Sequence, residues 1–269
     1  MRKTPLLAFL VLLLAVCWPI EALAASAAKL TAAAKTSLDK TAAEAPAQLR
    51  AKLTARYSEL EALYVREQQL EQDTKALHKA NAEAEAALRE RMKQLDAAKL
   101  DKLLKQTTEA KERYKPLFTL QTSLNKQLAA ARKLKNKTLT EALATQAEVV
   151  KLSAQLARQE IRWKEEAYAK AKADKDKVVK EVRAVLATGD TVLSQLRTEK
   201  SASVQTGKLI AAENKNTSAI LKKRNAEESF TALSSLTVLS GKLVSQKATI
   251  YGLEQKYGSI LSKADKLLP

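Results

Sequence analysis

Turn-forming residues are nearly missing from this chain, whose 269 residues include only 5 glycines and 5 prolines. Aromatic residues account for 4% of it. Sandwiches, barrels and doubly wound sheets draw on turn glycines and on β-branched or aromatic strands, so those folds are excluded at the outset. Histidine and cysteine occur once each, as His78 and Cys17, too few to ligate a zinc ion. No G-x-S-x-G elbow and no phosphate-cradling glycine loop is present. The adjacent carboxylates Glu165-Glu166 and Glu227-Glu228 would point about 100° apart on a helix and do not converge. Asp174-Lys175-Asp176 lacks the glycine and the terminal glutamate of a calcium loop. The chain is therefore expected to be no enzyme and to need no metal, cofactor or small-molecule substrate.

What is present is helix-forming. Ala, Leu, Lys, Glu and Gln dominate, and charged residues make up 29%. That is the composition of long helices or coiled coils. The length allows one or two domains at about 150 residues each. The expected fold is all-α: an elongated coiled coil or long antiparallel helical bundle with about three long helices.

The first 24 residues read as a cleaved signal peptide. Arg2 and Lys3 precede an unbroken apolar run from Leu6 to Val16; Pro19 then breaks the helix, and Ala22 and Ala24 fit an A-x-A cleavage site. The apolar run is short of the roughly 20 residues a spanning helix needs. Leu14-Ala15-Val16-Cys17 is the rival, a lipoprotein acylation site. Bulky Val16 stands where that pattern wants a small residue, so lipidation at Cys17 is not expected. Cleavage after Ala24 leaves a cysteine-free chain in a compartment that permits disulfides. The expected location is secreted or extracytoplasmic, in a cell envelope.

Residues 25–46 hold few large apolar side chains and are expected to form a weakly ordered leader rich in Ala, Lys and Thr. From Ala47 the pattern turns helical. Leu49, Leu63, Leu70 and Leu77 share one seven-residue phase, and Leu53, Leu60, Leu88 and Leu95 hold the complementary one. Arg56, Glu67, Thr74 and Asn81 intrude on this seam. The phase slips near residues 99–104, resumes through Ala110, Tyr114, Leu117 and Leu124, and continues as Val149, Leu152, Leu156 and Trp163. Trp163 is expected in the core, and His78 at the seam's edge.

Breaks divide the pattern. Gly189 is expected as a left-handed residue past a helix end, with Asp190 as the next N-cap. Pro116 can end a helix or only kink it, and Asn136 offers another turn, where Thr138 and Glu141 make a capping-box pattern. Residues 47–188 are thus a long helical coiled-coil region with a kink or turn near Pro116 or Asn136. Residues 189–269 form a C-terminal helical arm, with a polar interruption around 200–229 and a clean seam from Leu236 to Leu267.

The functional clue is charge. Lys plus Arg exceed Asp plus Glu by 47 to 30, a formal net charge of +17. Local densities occur at residues 170–180, at Arg132-Lys133 with Lys135 and at Lys222-Lys223-Arg224, and the last two are the candidate polyanion contacts. A positive field draws polyanions and speeds their association. Stacking aromatics are not interleaved with these clusters, so nucleic acid is not the expected partner. The expectation is a non-enzymatic structural or adaptor protein of a bacterial cell envelope. Its basic surface would associate with anionic wall or membrane polymers, and its seam would pair with itself or with partner helices. The alternative is a secreted, membrane-active α-helical protein of the pore-forming kind, with the segment 233–250 as the inserting element.

Overall fold

The computed structural model describes residues 29–269. Ala22, Ala24 and Cys17, on which the leader and lipidation expectations rest, lie outside the described residues. Six helices follow one another: α1 (Ala32–Glu44), α2 (Ala47–Gln94), α3 (Ala97–Lys133), α4 (Lys137–Ala187), α5 (Gly189–Lys222) and α6 (Ala226–Asp265). The described residues contain no strand, so the all-α expectation holds, with more long helices than the three expected. The chain divides into two compact units, one made of the residues up to Lys79 with Thr191–Lys256, the other of Ala80–Asp190 with Tyr257–Pro269.

The first unit joins α1 and residues 47–79 of α2 to residues 191–222 of α5 and 226–256 of α6. Lys29 lies over the Tyr64 ring and Lys35 over the Tyr57 ring, so α1 runs antiparallel to α2. Arg56 lies over Phe230, and Lys247 reaches Glu67 and Glu71, so α2 and α6 run parallel. Thr217 reaches Ala232 and Lys200 reaches Glu254, so α5 opposes α6. The result is a four-helix packing with two helices in each direction. Leu53 and Leu60 of α2 meet Ile210 and Leu221 of α5 and Leu233, Leu236 and Leu243 of α6 in one core. The expected seam positions of α2 and α6 therefore face inward.

Residues 25–46 were expected to be weakly ordered, and for 32–44 the structure corrects this. Helix α1 buries Ala34, Leu38 and Thr41, and Leu30 and Ala45 join the same core. Small side chains let α1 approach closely, which offsets their small apolar area. Thr31 caps its N-terminus by accepting from the Ala34 amide at 3.2 Å. At the other end the Arg50 guanidinium donates to the Ala42, Ala43 and Ala45 carbonyls at 2.9, 2.8 and 3.3 Å. A cation on the last carbonyls of a helix satisfies orphan acceptors and opposes the negative end of the dipole.

In the second unit α3 and α4 form an antiparallel hairpin. Lys111 pairs with Glu165 at 2.6 Å, Tyr114 donates to Glu160, and Arg158 donates to Gln121 at 2.6 Å. Their interface is built largely of small residues: Thr107, Ala110 and Ala131 of α3, Ala154, Ala157 and Ala171 of α4, with Leu124 among them. The turn lies at Leu134–Asn136, not at Pro116, which sits inside α3. Asn136 itself is the N-cap of α4, accepting from the Leu139 amide at 3.1 Å, so the expected Thr138–Glu141 capping box starts two residues late. Elsewhere in this unit Leu88, Ile260, Leu261 and Ala264 are buried, and Arg91 pairs with Asp265.

Gly189 and Asp190 are also corrected. Helix α4 ends at Ala187 and α5 starts at Gly189, but Thr188 between them keeps right-handed φ/ψ, and no glycine among the described residues has positive φ. Asp190 lies in the first turn of α5 and is not its N-cap. Glycine at 189 lets the Tyr257 ring come close: a Cβ there would sit 3.0 Å from its Cε2, so a larger residue needs the ring to move by a few tenths of an ångström. The interruption expected around 200–229 narrows to residues 223–225, since α5 runs unbroken through Gly207 and residues 214–217.

Candidate functional site

Helix ends fix the basic clusters. Arg132 and Lys133 close the last turn of α3, and Lys135 follows in the left-handed region with φ 53°. The Asn136 amide donates back to Ala131 and the Lys135 amide to Arg132, a six-to-one and five-to-two pattern that ends the helix. All three basic residues are exposed, and Leu134 between them is 76% exposed. Lys222, Lys223 and Arg224 make the corresponding turn after α5, with Arg224 at φ 56° and paired to Glu44 at 3.2 Å. Each cluster stands at a helix C-terminus, where cations also oppose the dipole. The structure thus gathers the sequence-selected residues into two exposed turns, one in each unit.

The face of α4 turned away from α3 was missed. Val149, Leu152, Leu156 and Trp163 are 63%, 60%, 62% and 61% exposed. At 3.6 residues per turn they fall within an arc of about 60°. The sequence reading placed Trp163 and its neighbours in the core, and the structure corrects this. The alanines at 154, 157 and 171, roughly a third of a turn round the helix, take the buried side instead. Alanine allows a closer helix approach than leucine or tryptophan does, and the larger side chains are left facing out. A groove beside this face is lined by Leu120, Leu124, Val149 and Val150.

Ionic groups are buried in the first unit. Lys247 donates to Glu67 and to Glu71, each at 2.8 Å, and Lys75 completes the chain on Glu71 at 2.9 Å. Burial alone would raise the Glu71 carboxyl, but its bonds to Lys247 and Lys75 outweigh that and hold it below its usual range. Burial likewise disfavours the charged Lys247, yet the two carboxylates raise its pKa above the ordinary lysine value. Glu254, 1% exposed, accepts from Lys200 at 3.2 Å and lies 2.8 Å from Nδ1 of His78. His78 is itself exposed, at the edge of the buried seam, where the sequence pattern put it.

Among the described residues no helix is long and apolar enough to cross a membrane, and no group of three or more His, Cys, Asp and Glu residues is placed to hold a metal. In the segment 233–250, Leu233, Leu236, Leu243 and Ile250 are buried. Compared with protein-family models, with curated proteins and with solved structures, the chain matches none.

Proposed function

We propose that the chain is a non-enzymatic structural or adaptor protein of a bacterial cell envelope, exported with its leader removed after Ala24. In this reading it is a helical scaffold of coiled-coil character. Its basic turns associate with anionic wall or membrane polymers, and its exposed helical face pairs with another helix. The observation that supports this best is the α3–α4 hairpin. It carries Arg132, Lys133 and Lys135 at its tip and an apolar stripe along α4, and neither is covered by other described residues. A catalytic protein concentrates its polar groups in a concave pocket. Here the polar and apolar groups that stand out lie on convex turns and on an open helix face.

Co-sedimentation of the purified protein with isolated anionic cell-wall polymer or anionic vesicles tests the polymer half. Retention should fall steeply with added salt, because exposed charges are screened within about a Debye length. Replacing Arg132, Lys133 and Lys135 by Gln should weaken it at every salt concentration. Salt-insensitive retention, or none, would contradict the reading.

A further inference from the structure

We infer that the exposed face of α4 is a self-pairing surface, on which a second copy of this chain docks antiparallel about a two-fold axis near Gln155. The inference rests on the pairing half of the function proposed above and names the partner.

Three observations converge on a second copy. The stripe is linear, with Val149, Leu152, Leu156 and Trp163 following one line along a helix, so a helix is the element that covers it. Next is charge. The whole chain carries a net +17, which opposes meeting a copy of itself, but residues 141–166 hold four basic and five acidic side chains. The excess is displaced to the tip at 132–137 and to residues 170–180. A face built for an acidic partner would keep its basic residues beside the stripe; this face is balanced.

Complementarity is the third. Glu148 and Arg162 are both exposed, lie on one flank of the stripe and stand seven residues to either side of Gln155. Neither has an ion pair within the chain among the described residues. Antiparallel pairing about Gln155 sets Glu148 of each copy against Arg162 of the other. The two-fold axis makes that pair twice. Leu152 of each copy then meets Leu156 of the other, with Val149 and Trp163 extending the seam on both sides. A parallel pairing would instead set this flank of each copy against the opposite flank of the other, so Glu148 and Arg162 would not meet. Several other charges of this stretch are engaged along the hairpin: Lys111 with Glu165, and Arg113 and Lys164 with Glu160.

Sedimentation equilibrium of the full chain carrying Cys17→Ser tests this. A dimer mass is expected, and Leu156→Asp should lower its association constant about tenfold or more. Leu156 is exposed, so the variant should keep its helical circular dichroism, and Leu152→Ala gives a milder second reading. Glu148→Arg and Arg162→Glu should each weaken the dimer, and the two together should restore it. Oxidation of Gln155→Cys should join two copies covalently. A monomer at every concentration up to about 100 μM would overturn the inference, as would a dimer indifferent to Leu156→Asp. A charge-swapped double variant no tighter than its singles would also overturn it. So would a monomer whose Trp163 emission shifts only on anionic vesicles, since the stripe would then be a lipid face. A monomer with salt-sensitive polymer retention would refute the pairing alone, whereas a dimer without retention would refute the polymer half.

Discussion

Lys247 carries more of the first unit's stability than a surface lysine would, because it neutralises two carboxylates at once, one of them on the nearly buried Glu67. Removing it by Lys247→Met leaves Glu67 charged and without that partner. The expected loss is about 2–3 kcal/mol in chemical denaturation. Replacing Glu67 and Lys247 together by Met should recover most of that loss, since a buried ion pair replaced whole by apolar groups is close to neutral. The same network shapes the pH profile. Glu71 is held below its ordinary 4.5 in the fold, so its contribution is present above that value and is lost as the pH falls through the depressed one. Lys247 is raised above its ordinary 10.5, so its contribution is present below that value and is lost as the pH rises through the raised one. Tyr57 adds to the alkaline limb, because burial and then its bond to Glu61 push its hydroxyl up to about 12. A stability profile measured between these limits should be flat, and Lys247→Met should soften both shoulders.

At the scale of helices and their junctions, the turns are made by residues that avoid the left-handed region elsewhere. Asp96, Lys135 and Arg224, at φ 53°, 53° and 56°, end α2, α3 and α5, while Gly189, Gly207, Gly241, Gly252 and Gly258 all lie inside helices. A non-glycine residue in that region costs roughly 1–2 kcal/mol. Lys135→Gly should therefore stabilise the hairpin by about 0.5–1 kcal/mol, read as a rise in the denaturation midpoint at unchanged slope. The helices were thus legible in the sequence and their ends only in part. The α2 phase held because Leu53, Leu60 and Leu88 face a core, and even the intruders Glu67 and Asn81 proved buried. Of the breaks, those near Asn136 and at 189 coincide with helix boundaries, whereas Pro116 lies inside α3 and Gly189 is not left-handed. Gly189 serves the Tyr257 ring and Gly258 the Asn81 side chain, contacts made 68 and 177 residues apart in sequence, which local pattern does not carry. Helix α4 failed differently. It has two stripes, one of large apolar residues and one of alanines, and hydrophobicity alone selected the larger for the core.

For the whole molecule, composition alone was enough for the all-α class, because it follows from which residues are rare. Where the apolar surface ended up was not legible. A seven-residue pattern says that a face must be covered, not whether the cover comes from the same chain. In the first unit it does, since Leu53, Leu60, Ile210 and Leu236 cover one another. In the α3–α4 hairpin the alanines are covered, while Val149, Leu152, Leu156 and Trp163 are not. The uncovered stripe on α4 is thus the claim on which both the proposed function and the self-pairing stand. It has a direct readout, because Trp163 is one of only two tryptophans, the other being Trp18. Acrylamide quenching of Trp163 fluorescence in a Trp18→Phe background, at protein concentrations low enough to keep copies apart, measures its exposure. Red-shifted emission and quenching close to that of free tryptophan are expected; blue-shifted emission protected from acrylamide in the dilute monomer would contradict an uncovered stripe.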